Sequence, residues 1–420
     1  MARSFRGWSR SRRDFLVNGL YGLGIGGALP LVLGRTSAAL AAQALEGTSI
    51  EKHPERILVV VELSGGNDGL NTVVPFGDAA YYRARPKIGI PERSVLKASE
   101  GFGFHPSMVG FERLYKDGHL GVVHGCGYDH PSLSHFSSMG FWHTGVPNGG
   151  EPLGWIGRLA DQTYAPSTRN VIVNLGNTQS LAVRSSKHSP LVFDDPARFK
   201  RDATVEQKSA LGTIGSGSAD TANSTLDFLV STAQNAAASS DFVREATSGY
   251  HTPVDYGIGG GLGNNLQRVA ALIKAEMPTR LYYVTYAGNS FDTHVQQADL
   301  HSRLLMYTAD AVNGFMADMK RIGRGSDVAM MIFTEFGRRV EENGSLGTDH
   351  GTATPMFLVG NAVKGGFYGT HPSLTDLDDG NMKMTTDFRR VYATVIKEWL
   401  GYDDTAAVLK GRFDPMNAFA

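Results

Sequence analysis

The chain predicts an α/β sandwich with a mostly parallel central sheet between layers of helices. Three observations predict it. Residues 56–63 (RILVVVEL) form a nearly continuous apolar, β-branched run, as expected of a strand buried on both faces. Further apolar runs at 120–125, 170–175, 279–286, 328–333 and 356–359 alternate with helical patterns, as in βαβ units. Most of these runs end in a polar loop with a carboxylate or a histidine, and open α/β sheets place their chemistry at such strand ends.

Residues 1–45 read as an export signal outside the fold. Arg3, Arg6, Arg10, Arg12 and Arg13 make a basic leader, and Ser11-Arg12-Arg13-Asp14-Phe15-Leu16 fits the twin-arginine consensus. An apolar segment from Leu20 to Leu33 follows, then the small-residue sites Ala39-Leu40-Ala41 and Ala42-Gln43-Ala44. The expected partner is the twin-arginine export machinery and the expected location is periplasmic or secreted. The apolar segment is short and broken by glycines and Pro30, so no stable membrane anchor is expected.

Residues 46–420 then read as one domain. The first strand, 56–63, ends in Ser64-Gly65-Gly66-Asn67-Asp68-Gly69. The second, 120–125, leads through Tyr128 to His135 into a helix reaching Trp142. The third is 170–175. An Ala/Ser-rich insertion near 203–263 follows, read as helical over 203–245, with Tyr256 to Gly263 as a glycine hinge. That hinge follows no strand and its glycine spacing fails the dinucleotide pattern. Asn264 or Asn265 is expected to cap a helix over 266–275. The fourth strand, 279–286, ends in a loop with Asp292 and His294; a helix over 300–321 follows, with Leu304, Val312, Phe315 and Met319 on its apolar side. The fifth strand, 328–333, ends in Thr334-Glu335. The loop before the sixth, 356–359, carries Asp349-His350, and an amphipathic helix over 387–400 closes the chain.

Bulk numbers exclude some classes. Of 420 residues, 41% are hydrophobic and 19% charged, which supports a large core. Lys+Arg 40 against Asp+Glu 41 leaves a net charge of -1, so no basic field favours nucleic acid. The single cysteine, Cys126, excludes an intrachain disulfide and a cysteine metal cage, and its apolar setting reads as core.

Parallel strands bring their carboxyl ends to one edge. Asp68, Ser134, His135, Asp292, His294, Glu335, Asp349 and His350 could therefore converge, although spread over most of the chain. Each also has a plainer role. Asp68 can make a turn. Ser134 can cap the helix after it. His294 can be an ordinary loop histidine. Glu335 can pair with Arg338 or Arg339, and Asp349 can orient His350. Repetition of the acid-or-histidine ending favours a joint site for a metal ion or for acid–base work.

At these residues the chain resembles a known family. GGNDGLNTVVP, HPSLSHFSSMGFWHTG, FDTHVQQ and TEFGRRVEENGSLGTDHGTATP together resemble the exported bacterial family called domain of unknown function 1501, over almost all of the mature chain. That family is grouped with the alkaline phosphatase and sulfatase clan of metal-dependent hydrolases. The resemblance implies an alkaline-phosphatase-like three-layer sandwich that hydrolyses phosphate or sulfate esters. It implies a small-molecule or polysaccharide ester as substrate. It further implies a divalent metal ion, Zn, Mn, Mg or Ca, held among Asp68, Asp292, His294, Glu335, Asp349 and His350. Ser134 would be the nucleophile, with His135 as the other candidate. His294 or His135 would protonate the leaving oxygen, and Arg338 and Arg339 would bind ester oxygens. Where the clan places a second ligand after Glu335, this chain has Phe336, which cannot coordinate. Either Asp349 supplies that ligand, or one ion is held instead of two, or activity is lost. The alternative function is a non-catalytic periplasmic binding or assembly protein on the same fold.

Overall fold

The computed structural model describes residues 53–199, 239–258, 261–286 and 288–420. The expected export signal and most of the Ala/Ser-rich insertion lie outside the described residues. The end of that insertion, 239–248, is helical. No helix among the described residues is long and apolar enough to cross a membrane.

Nine strands form the main sheet: β1 (Ile57–Leu63), β2 (Leu120–Gly127), β3 (Ile172–Leu175), β4 (Leu191–Phe193), β5 (Leu281–Tyr286), β6 (Val328–Phe333), β7 (Thr354–Gly360), β8 (Gly366–Tyr368) and β9 (Thr386–Asp387). Their order is β8-β2-β7-β6-β1-β5-β3-β4, with β9 beside β2. Only β7 runs antiparallel to its neighbours, β6 and β2. The sheet is thus mostly parallel, as expected. β4, β8 and β9, of two or three residues each, are too short to show a period in the sequence.

Alternation along the strands sends side chains into two cores. On one face Val59, Val61, Tyr282, Val284, Met330 and Ile332 pack beneath α2 (Val109–Lys116), α5 (Gly261–Lys274) and α6 (Gln297–Arg321). On the other, Leu58, Val60, Tyr283, Met331 and Phe333 pack beneath α3 (His135–Thr144), α4 (Trp155–Thr163) and α7 (Phe388–Thr394). This is the three-layer sandwich. Two helix expectations need correction. α5 starts at Gly261, so Asn264 and Asn265 lie inside it and do not cap it. The closing helix is α-helical only over Phe388–Thr394 and continues as a π-turn over Val395–Trp399.

Trp142 fixes α3 to the sheet. Its ring is fully buried, with centroids 4.2 Å from Phe388 and 5.5 Å from Phe333 in stacked orientation. Trp142→Ala is expected to cost about 3–5 kcal/mol in urea unfolding, since it opens a cavity between Phe333 and Phe388. Cys126 is fully buried on β2, and burial pushes its thiol well above the usual range, so its core role holds and it is no nucleophile.

Candidate metal centre

The carboxyl ends of β1 and β6 are sewn together first. Gly65 N–H donates to Glu335 Oε1 at 2.9 Å, and Thr334 Oγ1 donates to Glu335 Oε2 at 2.9 Å. Gly65 has φ +120, and a Cβ there would lie 2.5 Å from the Asp292 nitrogen, so glycine is required. The loop after β5 crosses above it, held by Phe291 N–H on the Ser64 carbonyl at 3.1 Å, and presents Asp292 and His294. Because β7 is antiparallel, its amino end lies at the same edge. The bridge between Arg338 and His350 folds the 334–353 loop back and delivers His350.

α3 supplies the last member. Two histidine–glutamate contacts anchor it to the ends of adjacent strands. His135 Nδ1 lies 2.8 Å from Glu335 Oε1, and His143 Nε2 lies 2.8 Å from Glu62 Oε2, which also accepts from the Tyr283 hydroxyl. Ser134 is the N-cap residue by backbone conformation, yet its side chain makes no capping bond.

Four side chains converge. His135 Nε2 is 3.4 Å from Asp292 Oδ2; His294 Nε2 and His350 Nε2 are 3.0 and 3.3 Å from Asp292 Oδ1. The two latter nitrogens are 2.9 Å apart. His135, Asp292 and His350 form a group with ligand atoms close enough to share one ion.

Each imidazole has its other nitrogen committed to an oxygen acceptor. His135 Nδ1 meets the Glu335 carboxylate, His350 Nδ1 the Leu133 carbonyl at 2.8 Å, and His294 Nδ1 the Asp349 carboxylate at 3.3 Å. The three Nε2 atoms are turned toward the Asp292 carboxylate, where Arg338 already reaches Asp292 Oδ1 with Nη2 at 2.8 Å and lies with Nη1 3.4 Å from His294 Nε2. The Nε2 atom of His135 is buried and has no hydrogen-bond partner. Ligand atoms on one tetrahedral ion with bonds of about 2.0–2.1 Å sit about 3.3 Å apart, close to the spacings seen here. Charge agrees: Arg338 pairs with Asp292, while among the described residues the Glu335 and Asp349 carboxylates make ion-pair contacts only with histidines of the cluster, so negative charge predominates around it. The residues fit a divalent metal ion.

The local electrostatics follow from the contacts. The Glu335 hydrogen bond raises the His135 pKa, whereas burial lowers that of His350. Burial opposes ionisation of Asp292, but the Arg338 hydrogen bond and charge outweigh it and hold the carboxyl below its ordinary value.

Several expected roles change. Asp68 does not join the cluster. It is fully buried, N-caps α1 (Gly69–Thr72) and pairs with Arg85 Nη1 at 2.6 Å, while Gln297 donates to the same oxygen. Glu335 is occupied by Gly65, Thr334 and His135, so it orients a histidine and does not face the shared centre. Asp349 orients His294, not His350. His135, expected as nucleophile or proton donor, is one of the converging side chains, with Nε2 3.4 Å from Asp292 Oδ2. Arg338 is buried with its donors spent on the carbonyls of Gly65, Gly66, Phe291 and Thr348 and on Asp292, so it is not free to bind ester oxygens. Arg339 pairs with Asp379 at 3.3 Å. Phe336 is buried with its ring centroid 4.8 Å from those of both His135 and His350, an apolar floor beneath two rings that themselves meet edge to face at 4.5 Å. Arg85 and His143 were not singled out as partners of Asp68 and Glu62. Their contacts are long-range, and no spacing in the sequence marks them.

Fold and site together define an α/β-sandwich protein with a cluster of histidines and a carboxylate, able to hold a cation, at the carboxyl edge of its sheet. Residues 55–413 match the family described as "Protein of unknown function (DUF1501)", and the chain belongs to that family. No curated protein matches it. Among solved structures it is similar to a protein in the alkaline phosphatase superfamily from Vibrio parahaemolyticus, with 9% identity and TM-score 0.41, covering 91% of this chain and 78% of that one. It is also similar to the lipoteichoic acid synthase LtaP from Listeria monocytogenes (10% identity, TM-score 0.37, 88% of this chain and 80% of that one). A third is the PsFucS1 sulfatase from Pseudoalteromonas sp. (11% identity, TM-score 0.36, 92% and 74%).

Proposed function

We propose that this chain is a metal-dependent hydrolase of phosphate or sulfate esters. The observation that carries the reading is the approach of three Nε2 atoms to the Asp292 carboxylate beside the N-terminus of α3, with His135, Asp292 and His350 mutually close enough to share one ion. Three nitrogens and one carboxylate suit zinc better than calcium or magnesium, which prefer all-oxygen shells. A divalent cation there would supply Lewis acidity toward an ester oxygen and toward a nearby hydroxyl.

The chain's own groups supply the rest. Ser134 adjoins His135, is exposed, and keeps its hydroxyl out of the helix cap, so that hydroxyl is available as nucleophile. The first helix-internal bond of α3 is Ser138 N–H to the Ser134 carbonyl, which leaves the N–H groups of residues 135–137 without partners in the helix to receive ester oxygens. Glu335 and Asp349 keep the histidine rings in register. Phe336 packs against two of the rings where a second ligand would be needed and cannot coordinate, which favours one ion over the paired ions of a two-metal clamp.

A second reading, a binding or assembly protein on the same fold, draws on Arg338, whose guanidinium already neutralises Asp292. Assays with aryl phosphate and aryl sulfate on zinc-loaded protein separate the two. The hydrolase reading expects turnover that falls about 10³-fold or more in Ser134→Ala while bound metal is kept. Undiminished turnover in Ser134→Ala would remove the serine from the chemistry. Absence of turnover in the parent protein with metal bound would favour the second reading.

A further inference from the structure

Two loops that carry the cluster meet on one buried amide. Gln297 is the first residue of α6 and is fully buried. Its Oε1 accepts from Thr293 Oγ1 at 3.1 Å and from Thr348 Oγ1 at 2.7 Å, and both threonines are buried as well. Thr293 stands between Asp292 and His294, and Thr348 comes just before Asp349 and His350. The amide Nε2 donates to Asp68 Oδ2. Asp68, paired with Arg85, accepts there, so the amide nitrogen faces the carboxylate and the amide oxygen faces the two hydroxyls. Buried polar groups satisfied in this way hold one another in a single arrangement.

The backbone repeats the join. The N–H groups of Gln296 and Gln297 donate to the carbonyls of Ser345 and Leu346, and Thr348 N–H donates to the Thr293 carbonyl at 3.2 Å. Gly347 lies so close to the first loop that a Cβ there would be 2.3 Å from the His294 carbonyl. Arg338 and Asn343 also reach both loops, but each is part of the 334–353 loop itself. Gln297 belongs to neither loop and sits on a 25-residue helix. His294 Nε2 and His350 Nε2, one from each loop, lie 2.9 Å apart, so a relative slip of about 0.5 Å would spoil a shared coordination sphere.

Resting on the hydrolase reading only for the bound ion, we propose that Gln297 is a positioning residue of the metal centre. Oriented by Asp68, it sets the separation between the Asp292–His294 segment and His350. It acts through Thr293 and Thr348 and ligates nothing itself.

Cobalt(II) loaded into the full chain reports coordination geometry by its visible spectrum, independently of turnover. Gln297→Met keeps the volume and loses all three hydrogen bonds. It is expected to weaken zinc binding about tenfold or more in chelator competition and to dim the intense bands of four-coordinate cobalt. Thr348→Val, an isosteric change, should act in the same direction to a smaller extent, and Thr348→Ser should restore the parent values. In the Gln297→Met background Thr348→Val should add no further loss, because the hydroxyl has no amide oxygen left to meet. A merely structural amide would lower the urea midpoint of the metal-free protein and leave affinity and spectrum as in the parent; that result overturns the inference alone. A parent protein that takes up neither zinc nor cobalt overturns the metal reading and this inference with it. The expected pattern without ester turnover sinks the hydrolase reading and leaves the role of Gln297 standing.

Discussion

Replacing Asp292 by alanine should abolish tight binding of divalent metal. Among the described residues, Asp292 is the only carboxylate whose oxygens face all three Nε2 atoms, and without it three imidazoles confront the Arg338 guanidinium alone. Loss of an outer partner of a ligand already costs about 10–100-fold in affinity, so loss of the anionic ligand should exceed a factor of about a hundred. Competition with a chromophoric chelator measures it. Glu335→Gln should fall in the smaller range, because the amide still contacts His135 but no longer favours its Nδ1–H form. Equal affinity in Asp292→Ala and the parent protein would place the ion elsewhere.

The second large effect concerns stability. Asp68→Asn should destabilise the fold by about 3–5 kcal/mol while leaving metal stoichiometry untouched. Arg85 has no exposed side-chain surface, and its Nη1 rests on Asp68 Oδ2 at 2.6 Å. Its remaining donors meet Asn71 Oδ1 and the carbonyls of Val340 and Arg339, all neutral, so among the described residues Asp68 carries the only countercharge paired with it. Burial opposes ionisation of Asp68, yet the Arg85 charge and hydrogen bond hold its carboxyl below the ordinary value. A carboxyl with a depressed folded pKa stabilises fully above its unfolded pKa and loses that contribution as pH falls through the folded value. The gap between parent and Asp68→Asn should therefore be widest near neutrality and close in acid, below about pH 4. Urea unfolding at a series of pH values reads it. Loss of metal in Asp68→Asn would return Asp68 to the ligand set.

The contrast between these two aspartates shows how much the sequence could tell. β1, β2, β5 and β6 were legible because each is a dense apolar run, and their number and alternation with helices implied a parallel sheet. That sheet made the gathering of Asp292, His294 and His350 at one edge predictable. What no spacing revealed is which partner each group meets across the chain. Asp68 and Arg85 are 17 residues apart, and their pairing depends on how the loop after α1 folds back. Glu335 looked like a ligand because it ends a strand. The positive φ of Gly65 and Gly66 turns backbone N–H groups onto it and makes it a bracket for His135. His135 was legible as a candidate beside Ser134, but not as a member of the metal set, since helix phase decides which of the two side chains points inward. Phe336 looked like a lost ligand and proves to be the surface against which two ligands are set.

The central claim is that His135, Asp292, His294 and His350 hold one divalent ion through three Nε2 atoms and a carboxylate oxygen. X-ray absorption on the zinc-loaded protein tests it most directly. The expected result is one zinc per chain with imidazole scattering from about three nitrogens and one oxygen, all at about 2.0–2.2 Å. A shell of oxygens without imidazole scattering, or no zinc retained after desalting, would contradict it.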